Sequence, residues 1–516
     1  MPIPADSSPF PEALTLEMTV TTNYVTVAIP YVNAEPHLGY AYELVLADIH
    51  ARACRHDGVE VRFLGGTDDY SLKNVLAADA AGHAVRDFVD SHARRFEDLA
   101  IPLDLSFDDF IRTSADARHV PAVHRLWNAA LENGDLYKRP YEGDYCVGCE
   151  RFYTSGELVD GRCPEHLRPV EHIAEENWFF RLSRYQEQLE DLIETDTISI
   201  TPAPFRNEVL SFLRSGLEDI SVSRSNERAR GWGVPVPNDP SQVIYVWFDA
   251  LTNYISALDY GETGSECYAT WWASADERTH VIGKGILRFH AVYWPAFLLA
   301  AAEPLPTHIR VHPYLTLGQL KLSKSTGTRV DPTHVAATYG TDVLRWWFCR
   351  DVAATADTDF TVERLITRAN EDLAGGVGNV ISRIVSLIHR HRGGTPPDPN
   401  ASPLDAVAGL PERTRRLLRE FDLRQAAQAI VDALTALNQH LEQTTPWKLA
   451  KDPTAAGLLD ATLSEQLATA RVIVDALAPI TPSLADRARR QLTGNPALPA
   501  LEPLIQRIDA TAEVHH

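Results

Sequence analysis

At 516 residues the chain is several times the length of a typical domain, so two to four domains with sizeable cores are expected. A hydrophobic fraction of 45% and a charged fraction of 23% are ordinary for a globular protein, and no run reaches the roughly 18 to 20 apolar residues of a membrane span, which excludes a membrane protein. With 48 basic and 70 acidic residues the net charge is −22, which excludes indiscriminate nucleic-acid binding over the whole surface but leaves room for a local basic face.

The first twenty residues, "MPIPADSSPFPEALTLEMTV", lack a basic start and a continuous apolar stretch, so residues 1–21 are expected to be a disordered leader and the cytoplasm the location. "YVTVAI" (24–29) is short and β-branched, ends at Pro30, and reads as a buried strand. From Gly39 the apolar period becomes helical, with Tyr40, Leu44, Ala47, Ala51 and Cys54 on one face until "HDG" stops it at Gly58; "VEVRFLGG" is the next strand. Strand, loop, helix and strand in about forty residues make a βαβ unit, which favours a parallel sheet with ligands at the carboxyl ends of its strands. His37 of "PHLGYAYE" lies at that end.

The segment 121–230 breaks this alternation and reads as an insertion. It contains "CVGCERFYTSGELVDGRCPEH", of the form C-x2-C-x13-C-x2-H: Cys146, Cys149, Cys163 and His166. Two close pairs that can converge as a tetrahedral Cys3His set suit Zn²⁺, and four protein ligands leave no open position, so the metal is expected to be structural; His172 is a weaker candidate ligand. "VIYVWFDAL" and "THVIGKGILRFHAVYWPAFL" resume strand-plus-helix patterning, the second half of the α/β domain running over 231–355. "LKLSKSTG" then interleaves Lys321 and Lys324 with serines, a cationic loop able to neutralise a polyphosphate but by itself an ordinary surface loop. From 356 to 516 the strands stop: "FDLRQAAQAIVDALTALNQHLEQ" places Phe421, Ala427, Ile430, Leu434, Leu437 and Leu441 at helical spacing, and "HRGGTPPDPNASP" (391–403) is a loop inside a helical bundle. Arginines gather in this last third, in "RLITRAN", "SRIVSLIHRHR" and "ERTRRLLREFDLR".

"PHLGY" resembles the first signature of class I aminoacyl-tRNA synthetases and "KLSKS" their second. From about residue 22 onward the chain resembles methionyl-tRNA synthetases, through "AIPYVN", "GTDD", "NEVLSFLRSGLEDISVSR", "IGKGILRFHAVYWPAF", "DLAGGVGNVISR" and "PWKLAK". The resemblance implies an α/β fold: a Rossmann-like parallel-sheet catalytic domain begun in 22–120, an inserted zinc-knuckle connective domain, and a C-terminal anticodon-binding helical bundle. It implies ATP with Mg²⁺, methionine and a methionine tRNA as partners, and a monomer.

Residue by residue, the resemblance implies catalytic roles for His37, Lys321 and Lys324, and nucleotide contacts from Asn33, His37, Gly39, Tyr40, Glu43, Gly283, Gly285 and Lys324. It implies a methionine pocket of Ala28, Ile29, Tyr31, Asp68, Arg224, Trp247, Leu251, Tyr254, Ile286, His290 and Trp294. Aromatic faces suit a thioether, and Asp68 can pair with an α-ammonium. Asn379, Arg383 and Trp447 match the anticodon readers; unpaired bases are read by stacking and edge hydrogen bonds.

The chain departs from the family at Tyr40 (a second histidine is usual), at Tyr70 and Ser71 (His-Gly), at Gly285 (an aspartate for the ribose) and at Thr328 (asparagine). The departures surround ATP, while the methionine and anticodon positions match. A specialised second methionyl-tRNA synthetase, a synthetase-like ligase passing an amino acid to a small amine or hydroxylamine without tRNA, and a silent tRNA binder are the three readings this pattern allows.

Overall fold

A computed structural model of the chain describes residues 21–146, 151–153, 156–164, 167–318, 320–321, 330–398, 400–494 and 496–509. The expected leader up to residue 20, Cys149, His166, Lys324, Thr328 and the side chain of Lys321 lie outside what is described.

The β-branched first strand forms β1 (Thr22–Val27), buried from Asn23 onward. It leads to α1 (Leu38–His56) and β2 (Glu60–Thr67), and β1 pairs with β2 in parallel, Thr22 with Glu60 through Thr26 with Leu64. Basic Arg55 and His56 occupy the last turn of α1, where they complement the helix dipole. β3 (Asp109–Arg112) flanks β2, while Glu277–Gly283, His308–His312 and Ser199–Thr201 follow on the other side of β1. All five pairings are parallel. The order reverses at β1, so the crevice between the carboxyl ends of β1 and Glu277–Gly283 is the topological switch point where open α/β sheets take ligands.

The segment 121–230 is not one excursion from this sheet. Leu136–Cys146, Arg151–Tyr153, Glu171–Phe180 and Ile220–Ser221 form a separate antiparallel sheet, but Ser199–Thr201 returns between them to pair with His308–Arg310 at the edge of the parallel sheet. A three-residue strand carries no readable period, so the sequence merged it into the insertion. "VIYVWFDAL" likewise gives a strand, Asp239–Ile244, that pairs antiparallel with Ser223–Ser225 and Pro235–Val236 instead of joining the main sheet. Among the described residues beyond 355 one strand remains, Thr358–Asp359, beside Leu315–Leu317.

Helices Asn379–Arg392, Leu410–Arg419, Leu423–Thr444, Ala456–Leu477 and Pro482–Leu492 form the C-terminal bundle. Its core is continuous with that of α1, which packs against Leu410–Arg419. The junction carries a fully buried ion pair: Arg345 reaches Asp48 of α1 at 2.6 Å and donates to the carbonyls of Leu103 (3.0 Å) and Ile480 (2.8 Å). Burial opposes ionisation of Asp48, yet Arg345, Arg52 and the Ser106 hydroxyl outweigh it and hold the carboxyl below its ordinary range. Among the described residues no helix is long and apolar enough to cross a membrane.

Candidate functional site

A cavity of about 1830 Å³ opens at the switch point and brings together residues far apart in sequence. At one end is the start of α1. His37 is its N-cap: the backbone N–H of Tyr40 donates to His37 Nδ1 at 3.2 Å, so the neutral ring carries its proton on Nε2 as a donor. A donor imidazole at the positive end of a helix suits an anion, although the first amides are engaged: Leu38 donates to the Val330 carbonyl at 3.0 Å, and Tyr40 and Ala41 to His37. Gly39 leaves the ring room, because a Cβ there would stand 3.1 Å from His37 Nδ1 and 3.2 Å from its Cε1 and crowd it.

Glu43, one turn further, is buried and ties α1 to two strand ends. Its Oε2 accepts from the Gly283 amide at 2.9 Å and lies 3.0 Å from His312 Nε2, while Oε1 has no hydrogen-bond partner among the described residues. Asn33 Oδ1 is likewise buried without one. His312 was not foreseen; it comes from a strand whose sequence carries no motif, and only its pairing with Glu277–Gly283 brings it here.

The other end of the cavity is aromatic. Trp247 lies flat on Phe289, ring centroids 3.6 Å apart and 8° from coplanar. The buried Tyr254 hydroxyl is 2.7 Å from His290 Nε2, and His290 Nδ1 is 2.9 Å from the Ile286 carbonyl. The carbonyl can only accept, so Nδ1 holds the proton and Tyr254 donates to Nε2. Burial pushes His290 down to about 4, keeping it neutral. Ala28, Ile29, Tyr31, Asp68 and Leu251 line the same space; Asp68 is held by its amide to Pro30 and by a bridge to Tyr31 that extends the β1–β2 pairing. Arg224 enters from the small antiparallel sheet, donating to Ser221 Oγ and the Ser223 carbonyl, with its guanidinium 4.3 Å over the Tyr245 ring. Trp294 does not reach the cavity surface: it is fully buried behind Tyr254, with ring centroids 6.0 Å apart.

The unusual residues have partners of their own. Tyr40 packs edge-on against Phe96, its hydroxyl buried without a hydrogen bond among the described residues and kept protonated by burial and by nearby Glu43. Tyr70 tilts against Trp232, whose Nε1 donates to the Asp69 carbonyl at 2.7 Å, and Ser71 caps the helix Leu72–Ala81. Gly285 sits beneath Tyr314, whose hydroxyl occupies the place of a side chain at 285.

Elsewhere, Cys146 and Cys163 are buried in one small cluster with Tyr153, and Cys163 Sγ lies 3.4 Å from the Tyr153 hydroxyl. Two buried thiols, Cys146 at the end of the strand Leu136–Cys146 and Cys163, fit half of a tetrahedral zinc site; the other two expected ligands fall outside the described residues. His172 is engaged by carboxylates, 2.9 Å from Glu142 and 3.2 Å from Asp144, which raise its pKa. In the helical region Arg383, four residues after Asn379 on one helix, is 5.6 Å from the Trp447 ring centroid and pairs with Glu442 at 2.5 Å.

Residues 23–172 and 168–385 match the family model of tRNA synthetases class I (M). A methionine--tRNA ligase of Brucella suis biovar 1 is 39% identical over 509 residues, 94% of this chain and 97% of its own length; one from Caldanaerobacter subterraneus subsp. tengcongensis is 39% identical over 477 residues, 91% and 74% respectively. The solved structure of Mycobacterium tuberculosis methionyl-tRNA synthetase in complex with methionyl-adenylate superimposes with a TM-score of 0.88 at 36% identity, covering 94% of this chain and 99% of that one.

Proposed function

The chain belongs to the class I (M) tRNA synthetases, and from that premise we propose that it activates methionine with ATP as methionyl-adenylate and transfers the methionyl group to a methionine tRNA. The observation that carries this reading is the cavity at the switch point in which the His37-capped start of α1 meets an aromatic wall that includes Trp247, Tyr254 and His290.

In this reading the methionine carboxylate attacks the α-phosphate of Mg²⁺-bound ATP in line and pyrophosphate leaves. No covalent enzyme intermediate is required; the chain positions the reactants and stabilises phosphate charge. His37 Nε2 faces the phosphates, Glu43 and Asn33 seat the nucleotide, and Lys324 with Lys321 holds the pyrophosphate side. Asp68 pairs with the methionine ammonium, while Trp247, Tyr254 and His290 enclose the thioether. Asn379, Arg383 and Trp447 read the anticodon. Cys146, Cys149, Cys163 and His166 hold a structural Zn²⁺ that takes no part in the reaction, and a content of about one zinc per purified chain checks it.

Relatives that are tRNA ligases over nearly their whole length favour tRNA over a small amine as the acceptor. The test is pyrophosphate exchange into ATP across the standard amino acids. Exchange supported by methionine alone bears out the activation step; exchange with another amino acid, or with none, refutes the reading.

A further inference from the structure

We infer that Trp232 is a positioning residue for the amino-acid side of the site: it holds the peptide that aims Asp68, and Tyr70 is its seat. The inference rests on the reading that Asp68 pairs with the methionine ammonium. The pairing of β2 with β3 ends at Thr67 opposite Arg112, and beyond it side chains take over the carbonyls. The Asp68 carbonyl accepts from Asn74 Nδ2 at 3.1 Å; the Asp69 carbonyl accepts from the same amide group at 2.8 Å and from Trp232 Nε1 at 2.7 Å.

The two aspartates have different tasks. Asp69 is fully buried, with Thr67 Oγ1 (2.9 Å) and Ser114 Oγ (2.7 Å) donating to its carboxylate and the Arg112 guanidinium 3.3 Å away. Asp68 lines the cavity, and its amide donates to the Pro30 carbonyl at 2.9 Å. Asn74 is itself fully buried. A peptide anchored by the Asp69 side chain and by both carbonyls leaves Asp68 little freedom to turn, which is what a carboxylate that must meet one ammonium requires.

Trp232 arrives from the opposite wall. It lies in the loop between Ser223–Ser225, the strand that carries Arg224, and Pro235–Val236. Its ring packs on Tyr70, centroids 5.5 Å apart and planes at 58°, with the Arg86 guanidinium 5.3 Å from the ring centroid, and Arg230 of the same loop pairs with Asp79. The indole has one N–H and gives it to the Asp69 carbonyl, so a single side chain ties the sheet bearing Arg224 to the end of β2 bearing Asp68. Both of those residues line the cavity. Tyr70, where the resemblance has histidine, thus serves the amino-acid side of the site through Trp232 by offering a broad apolar face.

The experiment is pyrophosphate exchange by the full chain and by W232F, which keeps an aromatic ring against Tyr70 and Arg86 and deletes the indole N–H, with inhibition by L-methioninol, which has the ammonium and thioether but no carboxylate. The KM for methionine and the inhibition constant of methioninol are expected to rise together by about five- to tenfold, with the KM for ATP within about twofold of wild type. N74S withdraws the other donor to the Asp69 carbonyl, is expected to show the same split, and decides the matter where W232F does not fold. Equal losses toward methionine and ATP, or a lower kcat with both KM values unchanged, make the contact merely structural and overturn the inference, as does no change at all. Wild-type chain without methionine-dependent exchange overturns the reading of the pocket and the inference with it; wild-type exchange with unselective variants overturns the inference alone.

Discussion

Tyr254 donates to His290 Nε2 at 2.7 Å while His290 Nδ1 donates to the Ile286 carbonyl at 2.9 Å, so one buried imidazole is fixed in tautomer and orientation from both sides. Tyr254 is in turn anchored by the Tyr24 hydroxyl, which donates to its carbonyl at 2.9 Å. The wall of the pocket is therefore preorganised before any amino acid enters.

Removing the Tyr254 hydroxyl in Y254F leaves Nε2 without its donor and is expected to raise the KM for methionine about tenfold, with a smaller change in kcat, in pyrophosphate exchange. His290 also carries a stability signature. Its folded pKa, about 4, lies below its ordinary 6.5, so the unfolded chain binds the proton first. Its contribution is intact above pH 6.5 and lost as the pH falls toward 4. Burial also lowers His308 to about 4 and His50 to about 3, so H290Q should flatten the acid limb of a denaturation titration without abolishing it.

Gly39 is expected to matter for a local reason. In G39A the new methyl, 3.1 Å from His37 Nδ1, crowds the imidazole, which must give by a few tenths of an ångström. The prediction is a fall in kcat for exchange of about tenfold or more with little change in Tm, since misplacing one positioned group costs catalysis more than folding. A variant as active as wild type would show that His37 need not be held there.

The Asp48–Arg345 pair couples the bundle to α1 with both side chains fully buried. D48N leaves an unpaired buried guanidinium and is expected to cost about 3–5 kcal/mol in urea denaturation. Because the Asp48 pKa is depressed in the fold, the contribution of the pair is present above the ordinary carboxylate pKa and is lost as the pH falls through the folded value.

Arg383 and Trp447, 5.6 Å apart and remote in sequence, are expected to serve tRNA and not adenylation. R383A and W447A should each lower kcat/KM for charging by about 10- to 100-fold, the range for lost base stacking, and cost pyrophosphate exchange far less. Equal losses in both assays would point to damage of the whole fold.

Much of this was legible in the sequence because it is local. The β1–α1–β2 unit announces itself by a change of apolar period, and His37, Gly39 and Glu43 share a single helix start, so reading that helix places all three. The long bundle helices show their stripe for the same reason. What the sequence hid is non-local or short. Ser199–Thr201 has too few residues to show a period, and Asp239–Ile244 reads as a strand without revealing its partner. His312 carries no motif and acquires meaning only when its strand lies beside Glu277–Gly283. Gly285 read alone is a missing aspartate; in the fold Tyr314 fills the place of a side chain there. Trp294 matched the family pocket by position, yet its ring packs one layer behind the surface.

The most direct test of the account is the charging of a methionine tRNA transcript with labelled methionine by the purified chain, with ATP and Mg²⁺. The account predicts ATP-dependent, methionine-specific charging that fails for tRNAs bearing other anticodons. Adenylate formation from methionine with no transfer to that tRNA would contradict it.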